Sequence, residues 1–135
     1  MNQELYWAAD GTIRRTFKGG GTVTELFAPG SYAPRYLKVD DQVVYFLDGD
    51  QGLLAVPRAG GVPSRLRFGQ ITSLDAHSDH VYWTEVGCLG RMRSDGTEGR
   101  CLEEGTRFGN VRVDDPAVFY VRGTGPQEIV RRPKP

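Results

Sequence analysis

Four short apolar and aromatic runs stand out from an otherwise polar chain: Leu5-Tyr6-Trp7-Ala8, Val44-Tyr45-Phe46-Leu47, Val81-Tyr82-Trp83-Thr84 and Val118-Phe119-Tyr120-Val121. Counted between their second residues, they recur at intervals of 39, 37 and 37 residues. Self-similarity at such a fixed interval marks a repeat array. Each run is apolar on successive rather than alternate residues, which predicts a strand covered on both faces. Other features keep the same phase. Asp-bearing turns are expected ahead of three runs, at Asp40-Asp41, Asp75 and Asp114-Asp115, and Gly-bearing turns follow the first three, at Gly20-Gly21, Gly60-Gly61 and Asp95-Gly96. A leucine comes next each time, at Leu26, Leu66 and Leu102.

The unit therefore reads as four short antiparallel strands. The first ends near the Asp, the aromatic run is the second, and the Gly turn joins the third to the Leu-bearing fourth. Glycine supplies the positive φ angles that tight hairpins need, and aromatic and β-branched residues suit a buried pleated strand. A lone four-stranded meander cannot cover its second strand on both faces, whereas sheets stacked face to face can. A repeat of about 40 residues with four strands is the blade of a β-propeller. The expectation is an all-β chain of propeller blades: a partial blade over 1–30, blades over 31–69 and 70–105, and a partial blade over 106–135. The chain opens at a second strand and ends at a third, which gives strand counts of 3, 4, 4 and 3. Four aromatic runs also argue against the threefold count of a β-trefoil.

Val81-Tyr82-Trp83-Thr84-Glu85, followed by Gly87, Arg91 and Asp95-Gly96-Thr97, resembles the YWTD repeat of the low-density lipoprotein receptor propellers and of similar bacterial propellers. Glu85 stands where that family usually has Asp. Tyr45-Phe46-Leu47-Asp48 keeps the first and last positions, Tyr6-Trp7 the first two, and Phe119-Tyr120 the aromatic character. The resemblance implies six-bladed wheels and a non-catalytic binding habit, and it transfers no ligand-binding residue. Closed propellers need four or more blades, so the reading implies an incomplete ring. The remaining blades would lie in a longer chain, as the abrupt start at a strand suggests, or a second copy of this chain would close the ring as an oligomer.

Composition narrows the function classes. Eighteen Gly and eight Pro among 135 residues leave little room for long helices. Seventeen basic residues balance seventeen acidic ones, so no net field gathers nucleic acid. No run of about 18 apolar residues predicts a membrane-inserted helix, and the N-terminus lacks the pattern of a secretory signal. No Gly-x-Ser-x-Gly elbow, Walker loop or zinc knuckle is present, so no cofactor is expected.

A residue type that returns in every blade serves the scaffold, so the recurring Asp and aromatic positions read as structure. Residues that differ at the start of each first strand are candidates for ligand contact on the channel or loop face. Aligned on the Asp positions, they are Arg35 with Tyr36, Gln70 with Ile71, and Gly109 with Asn110. His77 and His80 form with Asp75 and Asp79 the one His/Asp cluster, either a solvated turn or part of a metal site that lacks further ligands. Cys88 and Cys101 flank the Asp95-Gly96 turn on neighbouring strands, where they are either reduced or bonded to each other. A bridge would favour an exported or cell-envelope protein. Arg14, Arg15, Lys18, Arg65, Arg67, Arg91, Arg93, Arg131 and Arg132 read as a solvated face.

Two functions fit this pattern. The first is an interaction module that binds a protein or glycan on a loop face without chemistry. The alternative is a fragment of a propeller enzyme, lactonase- or lyase-like, with a metal or acid/base site at the central channel.

Overall fold

The computed structural model describes residues 3–30, 32–49, 52–105, 107–123 and 127–135. Among them are fourteen strands and no helix. The chain divides into two units, Met1–Phe68 and Gly69–Pro135, each built from two antiparallel sheets in which consecutive strands are neighbours.

In the first unit, β1 (Glu4–Ala9), β2 (Thr12–Phe17) and β3 (Thr24–Glu25) form one sheet, and β4 (Pro34–Val39), β5 (Val43–Asp48), β6 (Leu53–Pro57) and β7 (Ser64–Arg67) form the other. Ile13 and Leu26 of the first sheet pack on Val44, Phe46, Leu54 and Val56 of the second. The Phe27 ring lies 5.7 Å from Phe46 and 5.4 Å from Tyr32, between centroids. In the second unit, β8 (Ile71–His77), β9 (His80–Glu85), β10 (Cys88–Arg93) and β11 (Arg100–Glu104) form a sheet beside β12 (Phe108–Val113), β13 (Ala117–Arg122) and β14 (Glu128–Pro133). Tyr82 and Leu89 pack on Phe108, Val111, Val118 and Tyr120. Each core thus lies between two sheets, as stacking of sheets requires.

The aromatic runs differ in burial. Val44–Leu47 and Val81–Thr84 are buried at every position, so they are covered on both faces. In β1, Leu5 stands 49% exposed, and in β13 Phe119 and Val121 are half-buried. Expecting two covered faces for all four runs is therefore corrected for the first and last, which are only partly covered.

Glycines turn the chain between third and fourth strands with positive φ at Gly20, Gly21, Gly60, Gly61 and Gly96. The expected turn at Asp75 does not occur. β8 runs on through Asp75 to His77, and the turn is the two-residue Ser78-Asp79, with φ of 49° and 65°. Positive φ at both central residues suits a tight hairpin whose twist matches its strands. Asp40 does hold a turn: its Oδ1 accepts the Gln42 and Val43 amides at 2.9 and 2.8 Å. Asp75 instead reaches sideways, its Oδ2 accepting the Val113 amide of the neighbouring sheet at 2.8 Å.

Such lateral contacts recur within each unit. Ser73 Oγ accepts the Val111 amide at 3.1 Å, two residues before the Asp75 contact on both strands, as strand periodicity of two dictates. In the first unit Arg58 donates to Glu4 at 2.7 Å and to the Tyr6 hydroxyl at 2.8 Å, so a side chain that follows β6 grips β1. Its guanidinium also reaches the Asp40 and Asp41 carbonyls, at 3.3 and 3.2 Å.

Candidate functional site

The first strand of three sheets carries a β-bulge: in β4 between Arg35 and Lys38, in β8 between Ile71 and Ser73, and in β12 between Gly109 and Arg112. Tyr36 (φ 60°) and Asn110 (φ 51°) occupy left-handed conformations there. An extra residue in one strand breaks the ladder and re-aims side chains, which is why bulges gather at binding sites. The bulge of β8 falls at Thr72, two residues beyond Gln70, because the alignment that chose Gln70 took Asp75 for a turn residue. Aligning on the aromatic runs would have set Ser73 opposite Tyr36 and Asn110.

In the second unit two cavities adjoin the start of β12, and the bulge borders the smaller. One, of about 170 Å³, is lined by residues that include Thr72, Arg107, Phe108, Asn110, Val121 and Gln127. The other, of about 330 Å³, is lined by residues that include Glu103, Arg107, Phe108, Arg122 and Glu128. Arg107 and Phe108 belong to both. Thr72 Oγ1 lies 3.3 Å from the Phe108 carbonyl and 2.8 Å from Thr84 Oγ1, and Ser73 Oγ meets the same Thr84 hydroxyl. These hydroxyls fix the floor of the smaller cavity to the neighbouring sheet.

Charge is arranged unevenly around the larger cavity. Arg122 binds both Glu103 and Glu128, the Tyr120 hydroxyl donates to Glu103, and Arg132 stands 3.6 Å from it. Burial acts to raise the Glu103 pKa, but the hydrogen bonds from Tyr120 and Arg122 outweigh it, and the carboxyl ends below its usual range. Burial, with the Glu103 carboxylate second, pushes the Tyr120 phenol up. Arg122 is held firmly protonated by Glu128 and Glu103. Arg107, which is exposed, takes no part in this network.

The remaining expected site residues lie elsewhere. Arg35 donates to the Gly49 carbonyl at 3.0 Å, and the Tyr36 ring centroid lies 6.0 Å from Lys38 Nζ, both in the first unit. Gln70 is exposed ahead of β8 and does not line the cavity that holds Asn110. His77 and His80 face each other at the end of the β8–β9 hairpin, not within its turn. His77 Nδ1 lies 2.9 Å from the Ser78 hydroxyl and 3.0 Å from Lys134 Nζ, while His80 Nδ1 donates to the Ser78 carbonyl at 3.1 Å. Among the described residues, no three His, Cys, Asp or Glu gather as a metal-binding group. Cys88 and Cys101 are joined by a disulfide, with Cα atoms 5.6 Å apart across the bulged β10–β11 pair.

No family model and no curated protein matches the chain. Among solved structures, a chain of the nidogen/laminin complex is similar with a TM-score of 0.71 at 18% identity, over 96% of this chain and 60% of that one. The computationally designed Ika4 protein is similar with a TM-score of 0.75 at 15% identity, over 100% of this chain and 88% of that one. This chain thus spans less than two thirds of the nidogen/laminin chain. At these identities the likeness establishes the fold, and the fold is β-propeller-like.

Sequence reasoning missed Arg58, Arg107, Thr72 and Gln127. For Thr72 a signal existed in the phase of the aromatic runs. Arg107 and Gln127 flank a strand start and a hairpin without any motif, and nothing in one sequence separates them from other polar loop residues.

Proposed function

We propose that this chain is a protein-interaction module of the β-propeller type, built from YWTD-like blades over 1–30, 31–69, 70–105 and 106–135. The rest of its ring comes from a longer chain or from a second copy. The observation that carries the reading is a set of side chains at one strand end of the second unit that the fold leaves unused. At one end, side chains are tied to one another: Lys134 with His77 and Asp115, and Asp95 with Thr97. At the other end, beside the paired Arg122, Glu103 and Glu128, the residues Arg107, Asn110 and Gln127 line a cavity and make no side-chain hydrogen bond or ion pair among the described residues. Loops on a rigid scaffold with side chains to spare are where binding resides. The fold similarity to a chain of the nidogen/laminin complex, itself an assembly of two proteins, supports the same reading. The Cys88–Cys101 bond supports an exported or cell-envelope setting.

Site-specific photocrosslinking in the producing cell tests this. A crosslinker at Asn110 should yield a discrete protein adduct, and one at Thr97, at the opposite strand end, should not. Adducts from both positions alike, or from neither, would refute a binding face at the Asn110 end.

A further inference from the structure

We infer that the smaller cavity beside Asn110 is a carboxylate-binding pocket, which receives an acidic group of the partner. The inference rests on the interaction-module reading and names its ligand chemistry.

In the larger cavity the carboxylates of Glu103 and Glu128 are both taken up by Arg122, and Glu103 also by Tyr120. One guanidinium there faces two carboxylates, so that cavity offers an incoming anion no spare donor from Arg122. The smaller cavity has the opposite character. No carboxylate lines it among the described residues, and its one charged member is the Arg107 guanidinium. Arg107 makes no side-chain hydrogen bond or ion pair among the described residues, although two acids line the adjoining cavity. Its backbone is fixed, since its carbonyl accepts the Gly123 amide at 3.1 Å.

Two amide side chains complete the donor set. Asn110, aimed by the bulge, and Gln127, just ahead of β14, line the same cavity and likewise make no side-chain hydrogen bond among the described residues. A guanidinium presents paired N–H groups in a fork that matches a carboxylate, and neutral amide donors add bonds to the same oxygens. Phe108, 5% exposed, and Val121, half-buried, supply the apolar part of a lining that is otherwise polar side chains and glycine. Volume limits the ligand. Small-molecule sites run to about 300–1,000 Å³, so a cavity near 170 Å³ suits the acidic tip of a longer partner and not a free metabolite. Thr72 is a positioning residue here, because its hydroxyl already faces the Thr84 and Phe108 oxygens.

The test is NMR titration of the disulfide-bonded chain with three blocked probes. These are N-acetyl-aspartate N′-methylamide for a side-chain carboxylate, N-acetylglycine for a chain-terminal one, and N-acetyl-asparagine N′-methylamide as the neutral isostere. Saturable shifts are expected at the Arg107 Nε–H and at the Asn110 and Gln127 side-chain amides with a carboxylate probe, and none with the isostere. Arg107→Gln should weaken that binding at least tenfold while the rest of the spectrum stays unchanged. Whichever carboxylate probe binds more tightly identifies the source of the group. Equal binding of the isostere, shifts confined to other residues, or unaltered binding by Arg107→Gln would overturn the pocket. An Asn110 crosslink obtained alongside such a failure would leave the module intact and remove only its carboxylate chemistry.

Discussion

The indole of Trp83 lies directly on the α-carbon of Gly90, its partner across the β9–β10 pair, so closely that a methyl group at position 90 would stand 2.2 Å from Cζ2. Glycine is needed here for room and not for its backbone freedom. The ring is fully buried, and its Nε1 donates to Glu85 at 2.7 Å. The last residue of the YWTD-like run thus satisfies the polar edge of the second. Gly90→Ala should cost roughly 1–3 kcal/mol through overpacking, and Trp83→Ala about 3–5 kcal/mol through the cavity it leaves. Because both act on one contact, the double variant should lose less than the sum. Urea denaturation of the three variants measures this, and strict additivity would mean that the two residues do not touch.

Arg58 should be worth more than an ordinary surface arginine. It donates to Glu4 and to Tyr6 on the adjacent sheet, and its bond to Glu4, followed by the one that the Tyr6 hydroxyl donates to Glu4, holds that carboxyl below its usual pKa. Arg58→Ala should destabilise the chain by about 1–2 kcal/mol. Arg58→Lys should recover only part of this, because an ammonium cannot make the forked contact. Thermal unfolding of both variants decides it, and full recovery by lysine would reduce the role to charge alone.

Acid should loosen the second unit through Glu103. A carboxyl whose folded pKa is depressed contributes stability above its unfolded value, about 4.3 for Glu, and loses that contribution as pH falls through the folded one. The Glu103→Gln variant should therefore be less stable than the parent at pH 7, and the gap should close as pH is lowered through and below about 4.3. Denaturation midpoints across this range provide the check. A gap independent of pH would show that Glu103 acts by shape and not by charge.

Removal of the Cys88–Cys101 bond, which closes a loop with a sequence separation of 13, frees the unfolded chain. The Cys88→Ser/Cys101→Ser variant should lose roughly 2–3 kcal/mol of stability. Calorimetry under non-reducing conditions would show this as a lower Tm, whereas an unchanged Tm would mean that the bond does not form.

The all-β class and the count of fourteen strands were legible in the sequence, because aromatic runs and glycine turns repeat in phase. Tyr45, Tyr82 and Trp83 announce buried strands by composition alone. The lateral contacts were not legible. Asp75 looks like Asp40 in one dimension, yet a two-residue turn lengthens β8 and carries Asp75 into the strand, where it meets another sheet. Of the candidate site, Asn110 was reached from its variability between repeats. Arg107 was not, since what distinguishes it is the pairing of Arg122 with both nearby acids, a relationship among residues distant in sequence.

The account rests on sheets held side to side, and Val111 and Val113 report on this directly. Their amides belong to the edge strand β12 and are bonded to Ser73 Oγ and Asp75 Oδ2 of the neighbouring sheet. Hydrogen exchange by NMR should find both amides protected. Ser73→Ala should release Val111, and Asp75→Ala should release Val113, while the β12–β13 ladder stays protected in both. Rapid exchange of these two amides in the parent protein would contradict the lateral stacking of sheets on which the fold depends.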